Sequence, residues 1–422
     1  MREAPSWRFT ALRAPCAFVL AKASLRVAMQ PSCNSVAFVQ LCCFNKTKKN
    51  MKILQLGKFY PILGGVEKVM YDLMVGLSEQ GVDCDMLCAD HEGEGRTIQI
   101  NKHGRVITTH TWKKMMATMI SPEMIATLRK ICHEYDIIHV HHPDPMACLA
   151  LWLSGYKGKV VVHWHSDIEK QKVMLRLYKP LQNWMLRRAD VVLGTTPVYL
   201  AESTHLEKVQ HKTQCLPIGI EPLEPHEEGI KRIQAQYPNK KIIFSLGRLV
   251  PYKGYRHLIE AASELEEDYV VLIGGTGPLK EHLEKEIEAW GVQDKVFLLG
   301  HISDEELPQY YGACRVFCIS STQKTEAFCI AQIEAMSCGK PVVATRIPHS
   351  GVAWVNHHKR SGLNVAPGNA SELALAIQTI DQNTELYNKL AAGATQRFHD
   401  TFTKERMIEK VREVYERLMV NG

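Results

Sequence analysis

The chain has 422 residues, 23% of them charged and 45% apolar, the balance of an ordinary soluble globular protein long enough for two domains plus extras. Its net charge of +6 sits almost wholly in the first 50 residues, which contribute +7 and leave −1 for residues 51–422. That excludes a nucleic-acid binder read from overall basicity, and thirteen scattered cysteines without a C-x-x-C pair read as buried free thiols in a reducing, cytoplasmic compartment.

Residues 1–50 set Arg2, Arg8, Arg13, Lys22, Arg26, Lys46, Lys48 and Lys49 against Glu3 alone. They lack sustained periodicity, and their apolar runs fall short of the ~18–20 residues of a membrane span. They read as a disordered extension or a mis-assigned start ahead of Met51, with an Arg-rich targeting peptide as the alternative. From Met51 onward, apolar strands alternate with helices. Strands are predicted at Ile53–Leu56, Cys84–Cys88, Ile137–His141, Val160–Trp164 and Val191–Leu193, and the Gly-rich turn Tyr60–Gly65 leads into a helix whose apolar face is Val66, Val69, Met70, Leu73 and Leu77. Residues 51–218 thus form one doubly wound, Rossmann-like α/β domain. Residues 219–402 form a second, with strands at Ile242–Leu246, Val270–Ile273, Val296–Leu299, Val316–Ile319 and Val342–Thr345. Ser303-x-x-Glu306 reads as a capping box for one of its helices. Two sheets of one design, joined once, leave a cleft between them. Residues 403–422 carry an amphipathic helix marked by Met407, Ile408, Val411, Val414 and Leu418.

Several stretches at strand ends carry chemistry. Gly64-Gly65 opens a helix after the first strand, which lets backbone N–H groups approach an anion; a plain tight turn is the alternative. His163 and His165 fall on one side of a strand, so alternation does not choose between them. His139, His141 and His142 read as the polar rim of a cleft, with zinc as the alternative. Asp83-Cys84-Asp85 has the D-x-D form of a metal-dependent transferase but stands before an early strand, the wrong place for it. Gly247-Arg248-Leu-Val-Pro-Tyr-Lys253-Gly254 puts two cations on a strand-to-helix turn, which suits a diphosphate. A helix opening near Ala327 and stopped by Gly339 and Pro341 would set Glu326 at its edge and Glu334 two turns in, on nearly one face. Gly274-Gly-Thr-Gly277 lacks the last glycine of a dinucleotide fingerprint, since Lys280 stands there.

Gly247, Arg248 and Lys253, followed by Glu326-x7-Glu334, resemble the retaining nucleotide-sugar glycosyltransferases of family 4, and the likeness runs from about Met51 to the C-terminus. The resemblance implies the GT-B fold, two Rossmann-like domains facing each other across a cleft, with an acceptor-side first domain and a last helix that returns to it. It implies a nucleoside-diphosphate sugar donor, GDP- or UDP-linked, a saccharide or lipid-linked acceptor, and no metal or other cofactor. By the same resemblance Arg248 and Lys253 meet the diphosphate and Glu334 the ribose, while Glu326 and His165 flank the transferred sugar. Gly64, Gly65 and Gly247, with Phe328, Cys329 and Ile330, line the donor, and Gly300, His301 and Ile302 hold its base by backbone contacts. Many relatives have glycine where Cys329 stands, which narrows the donor pocket here. The basic amphipathic stretch Lys170–Arg188 reads either as a peripheral membrane contact at the inner face of the cytoplasmic membrane or as a helix packed on its sheet. A nucleotide-sugar epimerase and a non-catalytic nucleotide-sugar binder are the alternatives on this fold.

Overall fold

The computed structural model describes residues 51–62, 64–91, 93–115, 118–168 and 172–420. The reading of residues 1–50 lies outside them. The first sheet is built from β1 (Lys52–Tyr60), β2 (Asp83–Asp90), β3 (Thr97–Asn101) and β4 (Gly104–Thr109), then, after a small hairpin of β5 (Lys113–Met115) and β6 (Thr118–Ile120), from β7 (Ile137–His142), β8 (Lys159–Trp164), β9 (Val191–Gly194) and β10 (Thr213–Cys215). The second contains β11 (Lys241–Leu246), β12 (Tyr269–Gly274), β13 (Val296–Gly300), β14 (Val316–Ile319), β15 (Val342–Thr345) and β16 (Gly362–Val365). Strands such as Val160–Trp164 and Val316–Ile319 are buried throughout because helices cover both faces of a parallel sheet.

The strand order is β10-β9-β8-β7-β1-β2-β4-β3 in the first sheet and β13-β12-β11-β14-β15-β16 in the second. Only β3 is antiparallel within these two sheets, among the described residues. In each the order reverses beside the first strand, between β1 and β7 and between β11 and β14. At such a switch point adjoining loops leave in opposite directions and open a crevice at the C-terminal strand ends. The loops that follow β1, β7, β11 and β14 are therefore the ones placed to hold a ligand.

The capping-box reading needs correction. The Ser303 hydroxyl does accept the Glu306 N–H at 3.3 Å, but the helix begins at Leu307 and its first residues include Pro308, so Ser303 caps a preceding turn. The last helix, Lys404–Val420, packs on the Gly65–Glu79 helix of the first lobe. Its Ile408 lies where a Cβ on Gly76 would collide, and Val411, Val414 and Tyr415 are buried. No helix among the described residues is long and apolar enough to cross a membrane.

Candidate functional site

Gly254 takes φ 65°, and a Cβ there would stand 2.2 Å from the Ser320 carbonyl, so only glycine lets the turn after β11 press against the loop after β14. The Ser320 hydroxyl donates to the Lys253 carbonyl at 3.0 Å, and Thr322 N–H to the Tyr252 carbonyl at 2.8 Å. This stitching aims Lys253 at Glu326, Nζ to Oε2 2.7 Å, with both side chains about nine-tenths buried. Ser321 donates to the same carboxylate at 2.9 Å, and the Ser350 hydroxyl donates to the Glu326 carbonyl. Burial works against the Lys253 ammonium, but the adjacent carboxylate outweighs that and holds its pKa well above the ordinary lysine value. Arg248 is exposed beside this pair, its guanidinium donating to the Tyr252 hydroxyl at 3.4 Å. Gly247 leaves room for the Lys253 stem, which a Cβ would meet at 2.9 Å.

The helix after Glu326 opens at Ile330, not near Ala327. Its cap, Cys329, is left-handed at φ 65°, a conformation that cannot continue a helix upstream. Glu326, Phe328 and Cys329 therefore lie on the loop, and the single helical face carrying both glutamates does not exist. Glu334 remains in the helix, where the Tyr311 hydroxyl donates to it at 2.6 Å and burial raises its pKa. Phe328 packs edge-on against Phe402. A positive φ is the conformation glycine takes most readily, so it is the backbone, more than the pocket, that would favour glycine at this position.

Across the crevice, Gly65 faces this helix start, since a Cβ on it would come 3.1 Å from Ile330 Cδ1. Ala327 packs among first-lobe residues, Lys324 reaches Asp167 at 4.0 Å, and His349 meets Glu202 at 2.8 Å. The turn at Gly300–Ile302 closes the other end: Gly300 is left-handed, its carbonyl accepts from Gly275 N–H at 2.7 Å, His301 is exposed and Ile302 covers Gly274. Ser321, Ser350 and Tyr311, which orient the two glutamates, escaped the sequence reading because no spacing rule links them to Glu326 or Glu334.

The histidines are not a cleft rim. His139, His141, His142 and His163 are at most 1% exposed, and His165 6%. His165 Nε2 lies 3.0 Å from His141 Nδ1, and His141 Nε2 2.8 Å from Gln55 Oε1. Gln55 donates through its amide nitrogen to the Tyr415 hydroxyl at 3.2 Å, so its oxygen accepts from His141. His141 then accepts at Nδ1, and His165 donates from Nε2. Burial holds His165 well below its usual pKa and His163 down at about 3, so His165 is neutral with a bare Nδ1. His139, His141 and His163 bring ring nitrogens within 4.8 Å of one another. Yet the His139 ring stacks on the other two at 23° and 14°, and lone pairs in near-parallel planes do not converge on one ion as zinc ligation demands. Asp83 and Asp85 are also committed elsewhere, to His103 at 2.8 Å and to Arg105 and Tyr135 at 3.0 and 2.6 Å.

The family model described as Glycosyltransferase Family 4 matches residues 63–222, and that described as Glycosyl transferases group 1 matches residues 227–397. The chain belongs to the group 1 glycosyltransferases. This glycosyltransferase is 29% identical to the O-antigen chain mannosyltransferase C of Escherichia coli over 87% of its own length and 99% of that protein. It is 26% identical to the D-rhamnosyltransferase WbpZ of Pseudomonas aeruginosa over 84% and 92%. Among solved structures, the sucrose-phosphate synthase of Thermosynechococcus elongatus superposes with a TM-score of 0.71 at 21% identity, covering 88% of this chain and all of that one. Anabaena HepE with UDP-glucose gives 0.69 at 22%, covering 87% and 99%. The glycosyltransferase thus has the GT-B fold, two Rossmann-like parallel sheets.

Proposed function

We propose that the enzyme transfers a hexosyl group, with retention, from a nucleoside-diphosphate sugar to a hydroxyl of a saccharide or lipid-linked saccharide in polysaccharide or glycolipid assembly. The observation that carries this reading is the buried Lys253–Glu326 pair at the second sheet's switch point, opposite Gly65. As the bond from the anomeric carbon to the diphosphate oxygen breaks, negative charge grows on the departing phosphate. Lys253, Arg248 and the N–H groups at the start of the Ile330–Ser337 helix meet it. The acceptor oxygen bonds to that carbon from the same face, and its proton passes to the leaving phosphate oxygen. Glu326 lies beside the transferred sugar and Glu334 beneath the ribose, while the turns at Gly64–Gly65, Gly247 and Gly300–Ile302 line phosphates and base. His165, being neutral, contributes a lone pair or its main-chain carbonyl rather than an imidazolium.

Similar proteins named mannosyltransferase and rhamnosyltransferase support a surface-polysaccharide role, and solved neighbours with UDP and UDP-glucose support a nucleotide-sugar donor. Arg248 and Lys253 would supply two positive charges to the diphosphate, so transfer is proposed to need no metal and to persist in EDTA. The Lys172–Arg188 helix buries Tyr178, Met185 and Leu186 but leaves Leu177 72% exposed beside Arg176 and Lys179, which supports a peripheral contact with an anionic bilayer from the cytoplasmic side. Lys170 lies outside the described residues. The test is nucleoside-diphosphate release from a panel of GDP- and UDP-sugars, with and without acceptor. Release of an isomerised donor with no acceptor present would instead support an epimerase, and tight donor binding without turnover a non-catalytic binder.

A further inference from the structure

Ser350, which braces the Glu326 backbone, is also a wall of a separate cavity of about 430 Å³. Val198 of the first lobe closes one side, and Arg346, Trp354, His357 and Arg397 of the second lobe close the other. Its volume is that of a small-molecule site and exceeds what a single ion occupies.

The charge there is one-sided. No aspartate or glutamate occurs between Glu334 and Glu372, the stretch that supplies most of the lining. Among the described residues, Arg346, Arg360 and Arg397 have no carboxylate within ion-pair distance. Glu202, the acid that comes near, is taken by His349 at 2.8 Å. Arg397 is half-buried, its Nε donating to the Val355 carbonyl at 2.7 Å and its Nη2 to that of Trp354 at 2.5 Å, and its guanidinium lies over the Trp354 and Phe402 rings at 5.0 and 5.3 Å. These contacts fix its plane without neutralising it. Burial and then Arg360 lower the Arg397 pKa; burial, then Arg360 and Arg397, lower that of His357. Arg397 is half-buried with Arg360 as a like charge and no acid to offset it, an arrangement an anion in the pocket relieves, and planar guanidinium forks match phosphate oxygens.

We propose that this cavity seats a phosphate-class anion carried by the acceptor, held by Arg346 and Arg397 next to the loop that positions Glu326. The assignment rests on the transferase reading for the word acceptor, but not for the binding of the anion. The phosphate belongs either to a water-soluble saccharide phosphate or to the diphosphate of a lipid-linked saccharide. Trp354 supplies an apolar wall for the group that bears it.

Calorimetric titration of the full chain with inorganic pyrophosphate tests this, since it reads binding independently of turnover. Wild type should show two classes of site. Arg346→Gln, a change at an exposed side chain, should weaken one of them at least tenfold, and Arg346→Glu should abolish it. The double variant Arg248→Gln, Lys253→Met should lose the other class and keep the Arg346-dependent one. Pyrophosphate binding that is unchanged in both Arg346 variants and absent in the double variant would overturn the proposal, whatever the donor panel shows. A titration with farnesyl diphosphate then identifies the source: tighter Arg346-dependent binding than pyrophosphate points to a lipid-linked acceptor, and equal binding to a soluble one. Absence of turnover of every donor by the wild type, together with Arg346-dependent pyrophosphate binding, would sink the transferase reading alone.

Discussion

Lys253 and Glu326 follow different strands, β11 and β14, yet their charged atoms lie 2.7 Å apart in a nearly dry setting. The carboxylate is therefore what holds the Lys253 ammonium charged despite its burial. Lys253→Met should cost about 3 kcal/mol of stability, because a buried carboxylate loses its partner. It should also lower kcat by ~10²–10³, the loss seen when one preorganised charge-stabilising donor is removed. Glu326→Gln keeps the volume and tests the pair from the other end. Urea unfolding alongside turnover separates the two effects; full activity in a folded Lys253→Met protein would end the proposed mechanism.

Tyr311 and Glu334 give a pH-dependent counterpart. Burial raises the Glu334 carboxyl, and the Tyr311 hydroxyl opposes that by donating to the ionised form. If Glu334 accepts from the donor's ribose it must be charged, so donor affinity falls as pH drops through its raised pKa. Tyr311→Phe should move that acid limb to higher pH and weaken binding roughly tenfold, about 1.5 kcal/mol. Titrating nucleoside diphosphate across pH decides it, and superimposable profiles for the two proteins would remove Glu334 from the ribose.

Cys329 makes a sharper backbone prediction. A non-glycine residue in the left-handed region costs about 1–2 kcal/mol. Cys329→Gly should therefore leave stability nearly unchanged, relief of strain offsetting the lost buried side chain and the freer unfolded chain. Cys329→Val should destabilise by at least ~2 kcal/mol, since a β-branched residue tolerates that conformation least. Equal melting temperatures for the glycine and valine variants would contradict this.

Five buried histidines set the acid limit of the fold. His139, His141, His142, His163 and His165 all titrate below the free value of 6.5, chiefly through burial. Below pH 6.5 the unfolded chain binds more protons than the native one, so stability is complete above that value and is lost as pH falls. One unit lower, each histidine costs about 1.4 kcal/mol, ~7 kcal/mol together. Urea midpoints at pH 7.5 and 5.5 should differ strongly, and replacing His163 with leucine should narrow the gap.

Much of this was legible beforehand because it is local. The strands Val160–Trp164 and Val316–Ile319 are short β-branched or aromatic runs bounded by polar residues, and the structure places them where periodicity did. The order Gly247, Arg248, Lys253, Glu326, Glu334 marked the family, and the fold follows. What failed was either tertiary or conformational. A single left-handed residue, Cys329, moved the helix start from Ala327 to Ile330, and propensity carries no signal for that at a cysteine. The hydroxyl that pairs with His139 and Gln55 belongs to Tyr415, which arrives from the far end of the chain and gives no local signal at the histidines.

That arrival bears on motion. The chain passes between the lobes around Gly219 and returns around Thr403, and the two passages run side by side: Ile220 N–H donates to the Phe402 carbonyl at 2.9 Å, Lys404 N–H to the Ile220 carbonyl at 3.0 Å. A Cβ on Gly219 would strike the Thr403 carbonyl at 2.2 Å. Twin ribbons bonded in register fold along one line and resist shear, like a door on a paired strap. A paired crossing of this kind favours opening and shutting of the lobes over sliding, and parting the lobes would draw Tyr415 away from His139 and Gln55.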